Sequence, residues 1–197
     1  MSRLRWLPIL SVLAALSVTL PARADSSALS FADPSGDWQV ASQDVVKVTL
    51  RSVADRGKHV LAADITLAAP VGPAYTTYVV SFRIGQTCYS LATITVNGKP
   101  AQQSGGGAAV SPASLSSASC TYSGPTSTAA PATSAVQNST VQIRAPYALG
   151  LRRGARVSAI NVAVGTQPVE MYVGLGAKNV APATGDFAAT LATLPLR

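Results

Sequence analysis

Apolar and polar side chains alternate along much of the chain. Val46, Val48 and Leu50 fall on one face of a segment whose other face carries Lys47, Thr49 and Arg51, the period-two pattern of a half-buried strand. A polar stretch, Ala54-Asp55-Arg56-Gly57-Lys58, supplies a turn, after which Leu61, Ala63, Ile65 and Leu67 alternate with Ala62, Asp64 and Thr66. The two segments predict a hairpin. Pro70, Gly72 and Pro73 interrupt it, and a third strand begins near Tyr75, with Tyr78, Val80, Phe82 and Ile84 on one face. These three segments are expected to form a meander. A fourth strand is predicted from Cys88 to Val96, ending at Asn97-Gly98, a pair that readily enters the positive φ of a tight turn.

Large side chains then become scarce. Residues 101–119 and 123–139 are rich in Gly, Ala, Ser, Thr and Pro. Such segments bury too little apolar area to offset the entropy of ordering them, so they read as exposed loops with at most a short strand near Ser119 to Tyr122. Order is expected to return at Val141 to Ala145, followed by a bend at Pro146, Tyr147 and Leu149, and by strands at Arg156 to Val164 and Val169 to Leu175. Roughly six to eight strands separated by turn signals predict a single antiparallel β-sandwich, immunoglobulin-like or jelly-roll-like, with long Ser/Ala/Gly/Pro-rich loops. No internal repeat is evident.

The N-terminus has another character. Arg3 and Arg5 precede an uncharged apolar run from Leu7 to Leu20, and Ala22-Arg23-Ala24 offers the small-x-small pattern that a signal peptidase cleaves. As a helix the run would reach only about 21 Å, short of the roughly 30 Å hydrocarbon core of a bilayer. Residues 1–24 are therefore expected to be a removable signal peptide, and 25–197 one secreted or extracytoplasmic domain without a stable membrane span. Loss of Arg3, Arg5 and Arg23 lowers the net charge from +7 to +4. The sole basic cluster, Arg152, Arg153 and Arg156, lies near a turn without interleaved aromatics, which argues against a nucleic-acid partner. In an oxidising compartment Cys88 and Cys120 are expected to form a disulfide closing a loop of about 33 residues, stabilising the fold by roughly 3–4 kcal/mol.

The inventory is poor in enzyme chemistry. One histidine, His59, sits beside the predicted hairpin turn, and no Gly-x-Ser-x-Gly occurs, so a serine triad has no evident base. Zinc held by several histidines is excluded, and Gly105 to Gly107, Gly174 and Gly176 form no phosphate loop. Asp64, Glu170 and Asp186 are available for glycosidase-type chemistry, but no spacing singles out a pair, and Asp64 and Glu170 fall on polar strand faces. The sequon Asn138-Ser139-Thr140 fits a surface loop.

The densest signal is Phe31-Ala32-Asp33-Pro34-Ser35-Gly36-Asp37, followed by Asp44, in a chain with only 8 acidic residues. Asp33 and Asp37 flank a Pro-Ser-Gly turn and can converge on one point. Calcium takes six to eight oxygens at about 2.4 Å, and a glycine turn lets backbone carbonyls approach. Asp33, Asp37 and Asp44 are therefore candidate calcium ligands; the alternative is that all three cap turns or open a strand through their own backbone amides. Trp38, next to Asp37, is either a turn-covering anchor or part of a ligand platform.

The pattern Asp33-Pro34-x-Gly36-Asp37, then Asp44-Val45-x-x-Val48, then Tyr78-x-Val80-x-Phe82, resembles the secreted bacterial β-sandwich domains of the DOMON and family 9 carbohydrate-binding module group. The segment from Val141-x-Ile143 to Gly150-Leu151 and Gly154 resembles the group's closing strand and turn, so the likeness spans residues 29 to 187. Its members bind sugars, haem or calcium, and the resemblance implies a noncatalytic module. The chain departs from the sugar-binding pattern. Beyond Trp38, ring stacking would fall to Tyr75, Tyr78, Tyr89, Tyr122, Tyr147 and Tyr172. Haem ligation would have only His59 and Met171. The expected function is recognition of an extracellular ligand, cell-surface protein or polysaccharide. A metal-free envelope interaction domain is the second expectation, and a carboxylate hydrolase the third.

Overall fold

The computed structural model describes residues 26–55, 57–101, 108–113, 130–166 and 185–197. The predicted leader, Cys120 and the segment Val169 to Leu175 lie outside the described residues. The strands are β1 (Ser27–Ala32), β2 (Val45–Asp55), β3 (Lys58–Leu67), β4 (Thr76–Ile84), β5 (Thr87–Val96), β6 (Lys99–Pro100), β7 (Ala108–Ala113), β8 (Ala130–Gln137), β9 (Thr140–Pro146), β10 (Arg156–Gly165), β11 (Gly185–Thr190) and β12 (Leu194–Pro195). Every pairing is antiparallel, and no helix occurs among the described residues.

Two sheets pack as a sandwich. One runs β1-β2-β3-β9-β8 and the other β7-β5-β4-β10-β11, with β6 on β5 and β12 on β10. A short ladder between β7 and β8, from Ala108↔Ala132 to Val110↔Ala130, joins them along one side. Inward side chains follow from the alternation in the sequence. Val48 and Leu50 of β2, Ile65 of β3 and Ile143 of β9 meet Tyr78, Val80 and Phe82 of β4, Leu91 of β5 and Val162 of β10 in one core. Burying each such side chain contributes about 1.5–3 kcal/mol, which offsets the cost of ordering two sheets.

The β2–β3 hairpin forms as expected, but the meander does not. After Leu67, Pro70-Val71-Gly72-Pro73 carries the chain to the other sheet, so β3 pairs with β9, and β4 pairs with β5 and β10. The low-complexity stretches also differ from expectation, because β7 and β8 lie within them. Small residues suffice there because backbone ladders to β5 and β9 supply the order that side chains cannot. Asn97 and Gly98 take the predicted positive φ values, 53° and 69°, and Asn138 turns the β8–β9 hairpin at 55°. The bend after Pro146 is a turn in which Leu149 itself adopts a φ of 58°.

Candidate metal centre

Four elements build the acidic end of the sandwich. Asp33 follows β1 and is tied to β2 by its N–H, which donates to the Val46 carbonyl at 3.1 Å. Gly36, at φ 88°, turns the loop so that Asp37 comes back toward Asp33. Asp44 precedes β2, only 2% exposed, and its Oδ2 accepts the Gly36 N–H at 2.7 Å. Asp186 arrives from β11, near the other end of the chain.

Carboxylate oxygens of Asp33, Asp37 and Asp186 all lie within 4.8 Å of one another. Two oxygens on opposite sides of a calcium ion, each at about 2.4 Å, stand that far apart. Asp33 and Asp37 thus converge, the third carboxylate beside them is Asp186, and Asp44 bonds to the turn. Its position explains why. One oxygen of Asp44 is already committed to the Gly36 amide beneath the loop.

Asp186 is held before any ion is considered. Its Oδ2 accepts the Val45 N–H at 2.5 Å and its Oδ1 the Phe187 N–H at 2.8 Å. The register of β2 against β3 slips between Val45 and Lys47, a bulge that turns the Val45 amide out of the ladder and toward β11. Gly185 lets β11 start so close to β10 that a Cβ there would stand 2.2 Å from the Val164 carbonyl oxygen.

Among the described residues no lysine or arginine pairs with any of the four carboxylates; the side-chain ion pairs there join Arg51 to Asp64 and Arg144 to Asp55. Among the described residues nothing compensates the negative charge. Burial, reinforced by the charges of Asp186, Asp37 and Asp44, pushes the Asp33 carboxyl up to about 6. Burial also raises Asp186, against the lowering effect of its bonds from Val45 and Phe187, with Asp37 and Asp44 adding repulsion. Asp33 Oδ2 and Asp44 Oδ1 are buried and meet no hydrogen-bond donor among the described residues. Buried acceptors without partners are costly, and a cation satisfies several at once.

The other candidates fall elsewhere. Trp38 is half-buried in the loop beside Asp37, with its indole N–H enclosed and unpaired. Tyr78 and Tyr89 lie in the core, Tyr89 stacked on Phe82 at 5.9 Å, so neither offers a stacking surface to a sugar. Tyr75 and Tyr147 are half-buried, and Tyr122, Tyr172, Glu170 and Met171 lie outside the described residues. His59 is half-buried and stacked on Tyr147 at 5.6 Å. Asp64 is ion-paired with Arg51 across the hairpin. Cys88 is 1% exposed in β5, and no free cysteine occurs among the described residues.

Asp186 has no local signal. An Asp at the start of a strand, about 150 positions from the turn it joins, gains meaning only from topology, and the neighbouring Gly185 was the nearest hint. No family model, no curated protein and no solved structure matches the chain.

Proposed function

We propose that the protein is an exported, noncatalytic β-sandwich that binds a ligand at or beyond the cell surface and is stabilised by calcium held between Asp33, Asp37 and Asp186. The convergence of those three carboxylates beside two buried, unpartnered carboxylate oxygens carries the reading. The ligand set is all oxygen and includes loop residues able to yield, which suits calcium better than the rigid octahedron of magnesium. The signal-peptide pattern of residues 1–24 supports export, and the motif likeness to the DOMON and family 9 carbohydrate-binding module group supports a binding module. A disulfide between Cys88 and Cys120 belongs to the same proposal.

Thermal unfolding in excess EDTA and then in 1 mM calcium tests it. A site with a dissociation constant near 10 μM stabilises the fold by about 2.7 kcal/mol at that concentration. The melting temperature then rises by several degrees, and Asp37→Ala removes the rise. Identical curves would return the aspartates to turn caps.

A second reading has one observation in its favour. Phe187 and Leu191, 57% and 90% exposed, stand on and just after β11, where apolar side chains suit a protein partner. Concentration-dependent association that persists in EDTA would support this metal-free interaction domain.

A further inference from the structure

Among the described residues the two sheets share a backbone ladder on one side only. Along the other side β1 and β2 face β11 and β12, and among the described residues no ladder joins them. This seam is crossed instead by side chains bonded to backbone. At one end the Ser27 hydroxyl donates to the Pro195 carbonyl, and Ser52 Oγ accepts the Arg197 N–H at 2.8 Å. At the other end Asp186 Oδ2 accepts the Val45 N–H. The acidic cluster sits on this second end: Asp33 and Asp37 belong to the loop between β1 and β2, and Asp186 to β11.

We infer that calcium is the clasp of the sandwich's open seam, with Asp186 as the ligand through which it fastens β11 to the loop after β1. This rests on the cation reading above and goes further, because it assigns the site a place in the closure of the fold. Three carboxylates within 4.8 Å repel one another across the seam, and the repulsion acts to part β11 from the 33–37 loop. A divalent cation among them reverses the sign of that interaction. The buried Asp44, whose Oδ1 has no donor and whose Oδ2 holds the Gly36 amide, fixes the loop in reach and adds negative charge behind it. The hairpin turn at residues 55–58 lies at the far end of β2 and has no share in the clasp.

Hydrogen exchange read by mass spectrometry on the purified protein, in EDTA and in 1 mM calcium, together with calorimetric titration of calcium, tests the inference. Calcium is expected to bind and to slow exchange by about tenfold or more in residues 185–190 and 33–46, with the 54–60 turn unchanged. Asp37→Asn, an exposed change that leaves the Asp186 hydrogen bonds intact, is expected to weaken calcium binding by about tenfold or more and abolish the effect at β11. Calcium that binds but protects only the 33–37 loop, or protects all strands equally, overturns the clasp and leaves the cation reading standing. No heat of binding at millimolar calcium overturns both.

Discussion

The carboxylate of Asp186 accepts the backbone N–H of Val45 at 2.5 Å, joining residues 141 positions apart across the side of the sandwich that has no strand ladder among the described residues. Val45 is fully buried, so its amide has no water to turn to if the acceptor is removed. Asp186→Ala is expected to destabilise the protein by about 1–3 kcal/mol, the cost of an unsatisfied buried donor. Asp186→Asn keeps one acceptor oxygen and removes the repulsion from Asp37 and Asp44, so its cost in EDTA is expected to be smaller. Urea unfolding of both variants in EDTA checks the order, and a larger loss for Asn than for Ala would refute it.

Without metal, stability is expected to fall as pH rises from about 4 to about 6. The Asp33 carboxyl is raised from 3.8 to about 6, so in this window the folded state holds a proton that the unfolded chain has released. The stabilising effect is therefore fully present below about pH 4 and lost as pH passes through 6. The raised Asp186 acts in the same direction. Melting curves in EDTA at pH 5 and 7.5 should show the higher melting temperature at pH 5 once the general acid response is subtracted using Asp33→Asn. A wild type and Asp33→Asn with parallel pH profiles would contradict the electrostatic picture.

The hairpin of β2 and β3 and the strands β4, β5, β9 and β10 were legible because large apolar residues recur there at every second position. Pairing was not. Which strand lies beside β3 is decided by the Pro70–Pro73 crossing and by the core as a whole, neither of which has a local pattern. The strands β7 and β8 were hidden for a different reason: their order comes from backbone ladders on both sides, to which Ala, Ser and Pro give no hydrophobic signature. The acidic site divides in the same way. Asp33 and Asp37 announce themselves as a turn with two carboxylates, whereas Asp186 reaches them only through the closing of the second sheet.

Asp64 distinguishes a structural carboxylate from a chemical one. Its ion pair with Arg51 lies on the wet face of the hairpin, with the arginine side chain 38% exposed. Surface pairs of this kind contribute about 0–1 kcal/mol. Asp64→Asn is therefore expected to change stability by less than about 1 kcal/mol and to leave calcium affinity unaltered, measured by urea unfolding and calorimetry. A loss of calcium binding would place the metal elsewhere than at Asp33, Asp37 and Asp186.

Gly185 is expected to tolerate no side chain. The Cβ of an alanine would lie 2.2 Å from the Val164 carbonyl oxygen and 3.0 Å from its carbon, and both are backbone atoms of the adjoining strand. Relief requires β11 to move away from β10, which carries Asp186 away from Val45 and from the 33–37 loop. Gly185→Ala should cost about 1–3 kcal/mol or more, as overpacking does. It should also weaken calcium binding, which simple destabilisation elsewhere would not do.

Ser52 closes the opposite end of the seam. Its hydroxyl is fully buried, lies 2.5 Å from the Tyr147 hydroxyl, and accepts the N–H of Arg197 at 2.8 Å. Removing it takes the acceptor from the Arg197 amide, while the Tyr147 hydroxyl keeps its bond to the Arg197 carbonyl at 3.2 Å. Ser52→Ala is expected to destabilise the fold by about 1–3 kcal/mol, measured by urea unfolding. Its effect should add to that of Asp186→Ala, because the two clasps share no partner and sit at opposite ends of β2. A double variant no less stable than the worse single variant would show that the seam opens as one unit, with each clasp depending on the other.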